Sequence, residues 1–195
     1  MNHRKLPRSA QLIGVIDFTR SRRDMKAVAL LGLVSIAAMV PLGLLRQGPA
    51  AALEALRAHV WLPAACIGMC ILYIPLHELV HGALMFALSG VKPVYGIRLP
   101  YAYAGSSACF DRRSHAVIAL APLVLLGTVL ALLELFLPAW WFWSLYIVQI
   151  SNVSGSMGDV YTVWRLASRP GDVLIRDTGT RMCLYRINTE IGEKK

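Results

Sequence analysis

Charged residues are scarce in this sequence of 195 residues: they make up only 16% of it, while 56% of the residues are hydrophobic. A soluble globular domain typically has about a quarter of its residues charged. The apolar residues are also gathered in long blocks rather than spread at amphipathic spacing. The composition therefore excludes an ordinary soluble domain and indicates an integral membrane protein.

Aromatic residues do not alternate with basic ones, although the formal net charge is +9. A surface that stacks nucleic-acid bases needs both kinds of residue interleaved. The 20 Lys and Arg residues instead avoid the apolar blocks: seven precede residue 27, two lie in 46–57, four in 92–113 and seven in 165–195. This distribution is typical of membrane topology, and we expect no nucleic acid as a partner.

Cysteines are few, and their four positions form neither a CxxC pair nor a zinc-ribbon spacing. Cys66 and Cys70 are four residues apart in an apolar segment, where cysteine is usually a small packing residue. The cysteines therefore do not require an oxidising compartment.

Four apolar segments are long enough to cross a membrane as helices, which takes about 20 residues each. They are residues 27–45, 60–88, 116–137 and 139–166. The first is longer than the apolar stretch of a secretory signal peptide, so we favour a retained anchor over a cleaved signal. The fold class predicted is an all-α integral membrane protein with four transmembrane helices.

The basic residues predict the orientation. If the N-terminus is cytoplasmic, 18 of the 20 Lys and Arg residues lie on the inner side of the membrane, as the positive-inside rule requires. We expect both termini and the loop 89–114 in the cytoplasm, and a bacterial inner membrane suits the short chain. Strand-forming residues with turn residues between them, in 91–110 and 173–187, predict two short cytoplasmic β-hairpins.

The second apolar segment carries the HExxH motif His77-Glu78-Leu79-Val80-His81. Residues four apart share one helix face, so both imidazoles can bind a single Zn²⁺, while Glu78 is placed to take a proton from the zinc-bound water. Ionisable residues inside a span cost several kcal/mol and are functional by default. Polar residues that only hydrogen-bond inside the bundle are the less favoured alternative.

A catalytic zinc site normally has a third protein ligand. Asp159 is six residues before Arg165, and His81 is seven residues before Leu88. The two side chains therefore lie at nearly the same depth in the inner half of the membrane, so we rank Asp159 first. His115 is the alternative ligand, or a residue that supports the ligands. Asn152 shares the face of Asp159 and is a candidate for holding substrate or orienting a ligand, although interhelical hydrogen bonding explains it equally well.

HELVHG in one span, Ala119-Leu120-Ala121-Pro122 in the next and SGSMGD in a third resemble the zincin peptidases grouped as DUF3267. More broadly, they resemble site-2-protease-type intramembrane metalloproteases. The resemblance implies a three-helix catalytic core, zinc bound by His77, His81 and Asp159, and Glu78 as the base. It also implies peptide-bond hydrolysis in or near the membrane.

The chain is then divided into four parts: a basic cytoplasmic segment 1–26, an anchor and outer loop 27–59, a catalytic transmembrane core 60–166 and a cytoplasmic tail 167–195. The predicted function is a zinc-dependent intramembrane metalloprotease whose substrate is a membrane protein or peptide. A zinc hydrolase of another membrane substrate and a catalytically silent, metal-binding scaffold remain the alternatives. The sequence does not indicate the oligomeric state.

Overall fold

The computed structural model describes residues 6–7, 9–17, 20–98, 101–169, 173–179 and 181–187. Three of its helices are long and apolar enough to cross a membrane: α1 (Arg22–Arg46), α3 (Leu62–Ser89) and α4 (Arg112–Phe136). A short helix, α2 (Pro49–Ala58), joins the first two. Most of the apolar side chains on the three long helices face outwards, which is the surface a lipid bilayer requires. The length and the apolar surface of these helices therefore indicate a membrane protein.

The ends of the long helices follow from local sequence. Ser21 caps α1 by accepting a hydrogen bond from the Asp24 N–H, and Asp111 caps α4 in the same way through the Ser114 N–H. Helix α3 ends at Gly90, whose φ of 66° is a left-handed conformation that glycine adopts without strain.

The predicted fourth span, 139–166, is not one continuous helix. A 3₁₀ turn at Ala139–Trp141 leads into α5 (Phe142–Gly155), and α6 (Met157–Ala167) follows after a break at Ser156. Small and polar residues on either side of the break favour helix ends over a continuous helix. Neither helix is long enough alone to span a bilayer, so a fourth crossing made of both remains a prediction.

Strands occur in both regions for which β-hairpins were predicted, and a further strand near the N-terminus was not predicted. A two-stranded antiparallel sheet joins β2 (Val94–Arg98) to β3 (Tyr101–Gly105). A four-stranded sheet has the order β1-β6-β5-β4, formed by β1 (Ala10–Ile16), β4 (Phe110–Asp111), β5 (Val173–Asp177) and β6 (Met182–Ile187). The basic segment 1–26 therefore contains a strand, which pairs with the far end of the chain.

Both sheets lie at one end of the helices, because their strands directly precede α1 and α4 and directly follow α3 and α6. Apolar residues of the larger sheet pack on the end of α6, in a buried cluster of Ile16, Leu166, Val173, Ile175 and Leu184. Aromatic rings gather at the opposite end, where Trp61 lies 5.2 Å from Trp141 between ring centroids.

Candidate metal centre

Helix α3 presents two buried imidazoles on one face. His77 and His81 are each only 8% exposed, and their Nε2 atoms lie 3.1 Å apart. The spacing of four residues produces this approach, because it corresponds to about one turn of helix.

Asp159, in the first turn of α6, brings a carboxylate to the same point. Its Oδ2 lies 3.4 Å from Nε2 of His77, and its Oδ1 lies 3.6 Å from Nε2 of His81. Ligands about 2.0–2.1 Å from a tetrahedral Zn²⁺ lie about 3.3 Å from one another. The three side chains therefore form a group with the spacing and donor chemistry that zinc requires.

The outer ring nitrogens of both histidines have protein partners. Nδ1 of His77 lies 2.7 Å from the Tyr73 hydroxyl. Nδ1 of His81 donates a hydrogen bond of 2.9 Å to the backbone carbonyl of Ile118. Because that carbonyl can only accept, neutral His81 carries its lone pair on Nε2, towards His77 and Asp159. Such partners fix the tautomer and orientation of histidines that bind metal.

A proline makes the Ile118 carbonyl available. In a regular helix, the N–H of residue 122 would donate to the carbonyl of residue 118, but Pro122 has no N–H. The freed carbonyl of α4 faces α3 and accepts from His81 instead. One residue in α4 thus sets the orientation of a side chain in α3.

Glu78 is half-buried beside this group, and its carboxylate lies close to the backbone of Ala104 in β3. Both residues line a cavity of about 320 Å³ that also contains His77, His81 and Asp159. Small-molecule sites in proteins are typically a few hundred Å³. The cavity therefore has room for a small ligand next to the carboxylate.

The turn between β5 and β6 closes one side of the cavity. Gly179 has a φ of 82°, and a Cβ there would collide with the Tyr103 ring. Asp177 also lines the cavity. Burial raises the pKa of its carboxyl to about 6, the Gly179 N–H opposes the rise, and the charges of Asp159 and Glu78 add to it.

The two other candidates from the sequence lie in different places. His115 lines the cavity but is not one of the three grouped donors. Asn152 is fully buried and donates from Nδ2 to the Leu123 carbonyl of α4 at 3.1 Å. It is not among the residues that line the cavity, so its described contact is interhelical.

Four residues that support the candidate metal centre or line its cavity were not predicted from the sequence. Tyr73 is four residues before His77 and so shares its face, and Pro122 is four residues after Ile118; both spacings were visible in advance. Ala104 and Asp177 gave no such signal, because strand pairing and turn geometry bring them to the cavity.

The family model of DUF3267, described as "Putative zincin peptidase", matches residues 70–174. That range is more than half of the chain and contains all three grouped donors together with Glu78. The chain belongs to the DUF3267 family. The predicted resemblance to this family is confirmed, and the family description supports a metallopeptidase and zinc as its metal. No curated protein and no solved structure matches the chain.

Proposed function

We propose that this DUF3267 protein is a zinc-dependent intramembrane metalloprotease. The observation that carries the proposal is the spacing of His77, His81 and Asp159, at 3.1, 3.4 and 3.6 Å between donor atoms, beside the Glu78 carboxylate. Metal binding alone does not need that carboxylate, whereas hydrolysis needs a base. The combination therefore supports an enzyme rather than a scaffold.

His77, His81 and Asp159 would hold the metal. When bound, Zn²⁺ supplies a Lewis acid and makes water acidic enough to ionise near neutral pH. Glu78 takes one proton from the attacking water while the water oxygen bonds to the scissile carbonyl carbon. Glu78 then gives that proton to the amide nitrogen as the C–N bond breaks, so the products are a carboxylic acid and an amine.

The substrate we propose is an extended segment of a membrane protein or peptide. A helical peptide bond is already hydrogen-bonded, so a substrate helix must unwind locally before attack. Strand β3 borders the cavity through Ala102, Tyr103 and Ala104. It offers backbone groups to which an extended segment can add as a further strand.

The proposed site faces the cytoplasm. It lies at the end of the helices that carries both sheets, and the positive-inside rule assigns that end to the cytoplasm through 18 of the 20 Lys and Arg residues. We propose that α5 and α6 together complete a fourth crossing, that both termini are cytoplasmic, and that the membrane is a bacterial inner membrane.

Glu78→Gln tests the activity, because it removes the base and keeps the size and the metal ligands. Membrane peptides from cells that express Glu78→Gln should lack cleavage products that are present with the wild type. Glu134→Gln is the matched control, since Glu134 is an acid in α4 that is not among the cavity-lining residues. Identical peptides from wild type and Glu78→Gln, with zinc bound to both, would favour the scaffold.

A further inference from the structure

His115 is a buried imidazole without a hydrogen-bond partner in the part of the chain that the structure describes. It is 2% exposed, and neither ring nitrogen has a hydrogen-bond partner among the described residues. Leaving a buried polar atom unpaired destabilises the folded protein, because the atom has lost its water without gaining another partner. A group that enters the cavity with the substrate would supply the missing hydrogen-bond partner.

The unpaired nitrogens border the candidate metal centre. His115 lines the same cavity as Glu78 and the three grouped donors, and its electrostatic neighbours are Asp159 and His81. It belongs to the first turn of α4, three residues before Ile118, whose carbonyl orients His81. The same helix segment therefore brings a free imidazole and a ligand-orienting carbonyl to the site.

The geometry assigns His115 a catalytic role: its ring N–H donates to the oxygen of the scissile carbonyl. This inference rests on the proposed function. A neutral imidazole has one N–H donor, and the carbonyl oxygen gains negative charge as water adds to the carbon. A preorganised donor in a buried site stabilises that charge. The proton stays on His115, because Glu78 alone carries the proton from water to the leaving amine.

Three variants distinguish this role from metal binding and from packing. His115→Phe keeps a planar ring and removes the donor, while His115→Gln keeps an N–H donor. Gln149→Met is the matched control, since the Gln149 side chain also has a buried oxygen without a partner among the described residues but is not among the cavity-lining residues.

The first measurement uses protein loaded with Co²⁺ in detergent and acetohydroxamate as the probe, whose carbonyl oxygen stands in for that of the substrate. In the absence of probe, all three variants should bind about one metal ion and have the wild-type visible spectrum. The Kd of acetohydroxamate should rise about 10-fold in His115→Phe and recover in His115→Gln. The control should match the wild type.

The second measurement follows hydrolysis of β-casein by the zinc-loaded proteins. Removing one donor of this kind lowers kcat by about 10²–10³-fold, so His115→Phe should lose that factor with little change in KM, and His115→Gln should recover part of it. Loss of metal or an altered Co²⁺ spectrum in His115→Phe would overturn the inference by making His115 a ligand. An unchanged kcat and Kd would overturn it too. Failure of the wild type to bind zinc or cleave any substrate would instead defeat the proposed function.

Discussion

Replacing Pro122 with alanine tests how α4 controls the candidate metal centre. The new N–H at residue 122 would compete for the Ile118 carbonyl, which now accepts a 2.9 Å hydrogen bond from Nδ1 of His81. His81 would then lose the partner that holds its Nε2 towards Asp159. The change adds no charge and touches none of the grouped donors.

The expected loss is in metal affinity. Removing the partner of a metal-binding histidine typically weakens binding by about 10- to 100-fold, or about 1.4–2.7 kcal/mol. A carbonyl oxygen has two lone pairs, so His81 can keep a weakened bond. We therefore expect the lower end of the range, about 10-fold.

Competition with a chelator of known zinc affinity, in detergent, measures this loss. Pro41→Ala is the matched control, because Pro41 also lies within a long apolar helix but is exposed on α1. A Pro122→Ala protein that unfolds at the wild-type temperature and binds zinc with wild-type affinity would refute the reasoning. Equal losses in both variants would refute it as well.

Tyr73→Phe removes the hydroxyl that lies 2.7 Å from Nδ1 of His77, and the same chelator competition should show about a 10-fold lower zinc affinity; unchanged affinity would mean that the hydroxyl does not orient the ring. Asp177→Asn tests how the stability of the protein depends on pH. The folded protein holds the Asp177 proton up to about pH 6, above the ordinary carboxyl pKa, so wild-type stability should fall as pH rises from about 4 to about 6. Metal-free Asp177→Asn should therefore have the higher unfolding temperature at pH 7 and match the wild type at pH 4; a lower temperature at pH 7 would contradict the burial argument.

The helices that carry the grouped donors were predictable because their signals are local. His77 and His81 share a helix face by spacing alone, and three of the predicted apolar segments correspond to three long helices in the structure. Asp159 was singled out by counting residues from the end of its segment, and the structure brings its carboxylate within 3.6 Å of both imidazoles.

The rest depends on contacts between distant parts of the chain. Strand β1 joins the larger sheet by pairing with β6, and nothing in a basic N-terminal segment indicates such a partner. The break at Ser156 lies inside an otherwise apolar run. It separates two helices, and the second begins close enough to Asp159 to place that residue in its first turn. The carbonyl freed by Pro122 could be foreseen, but its partner His81 is 37 residues away.

Metal analysis of the detergent-purified protein tests the central claim most directly. The wild type and Glu78→Gln should each contain about one zinc per chain. His81→Ala and Asp159→Ala should lose it, since each removes one of the three grouped donors. A wild-type protein that binds no zinc, or an Asp159→Ala protein that keeps it with unchanged affinity, would contradict the account.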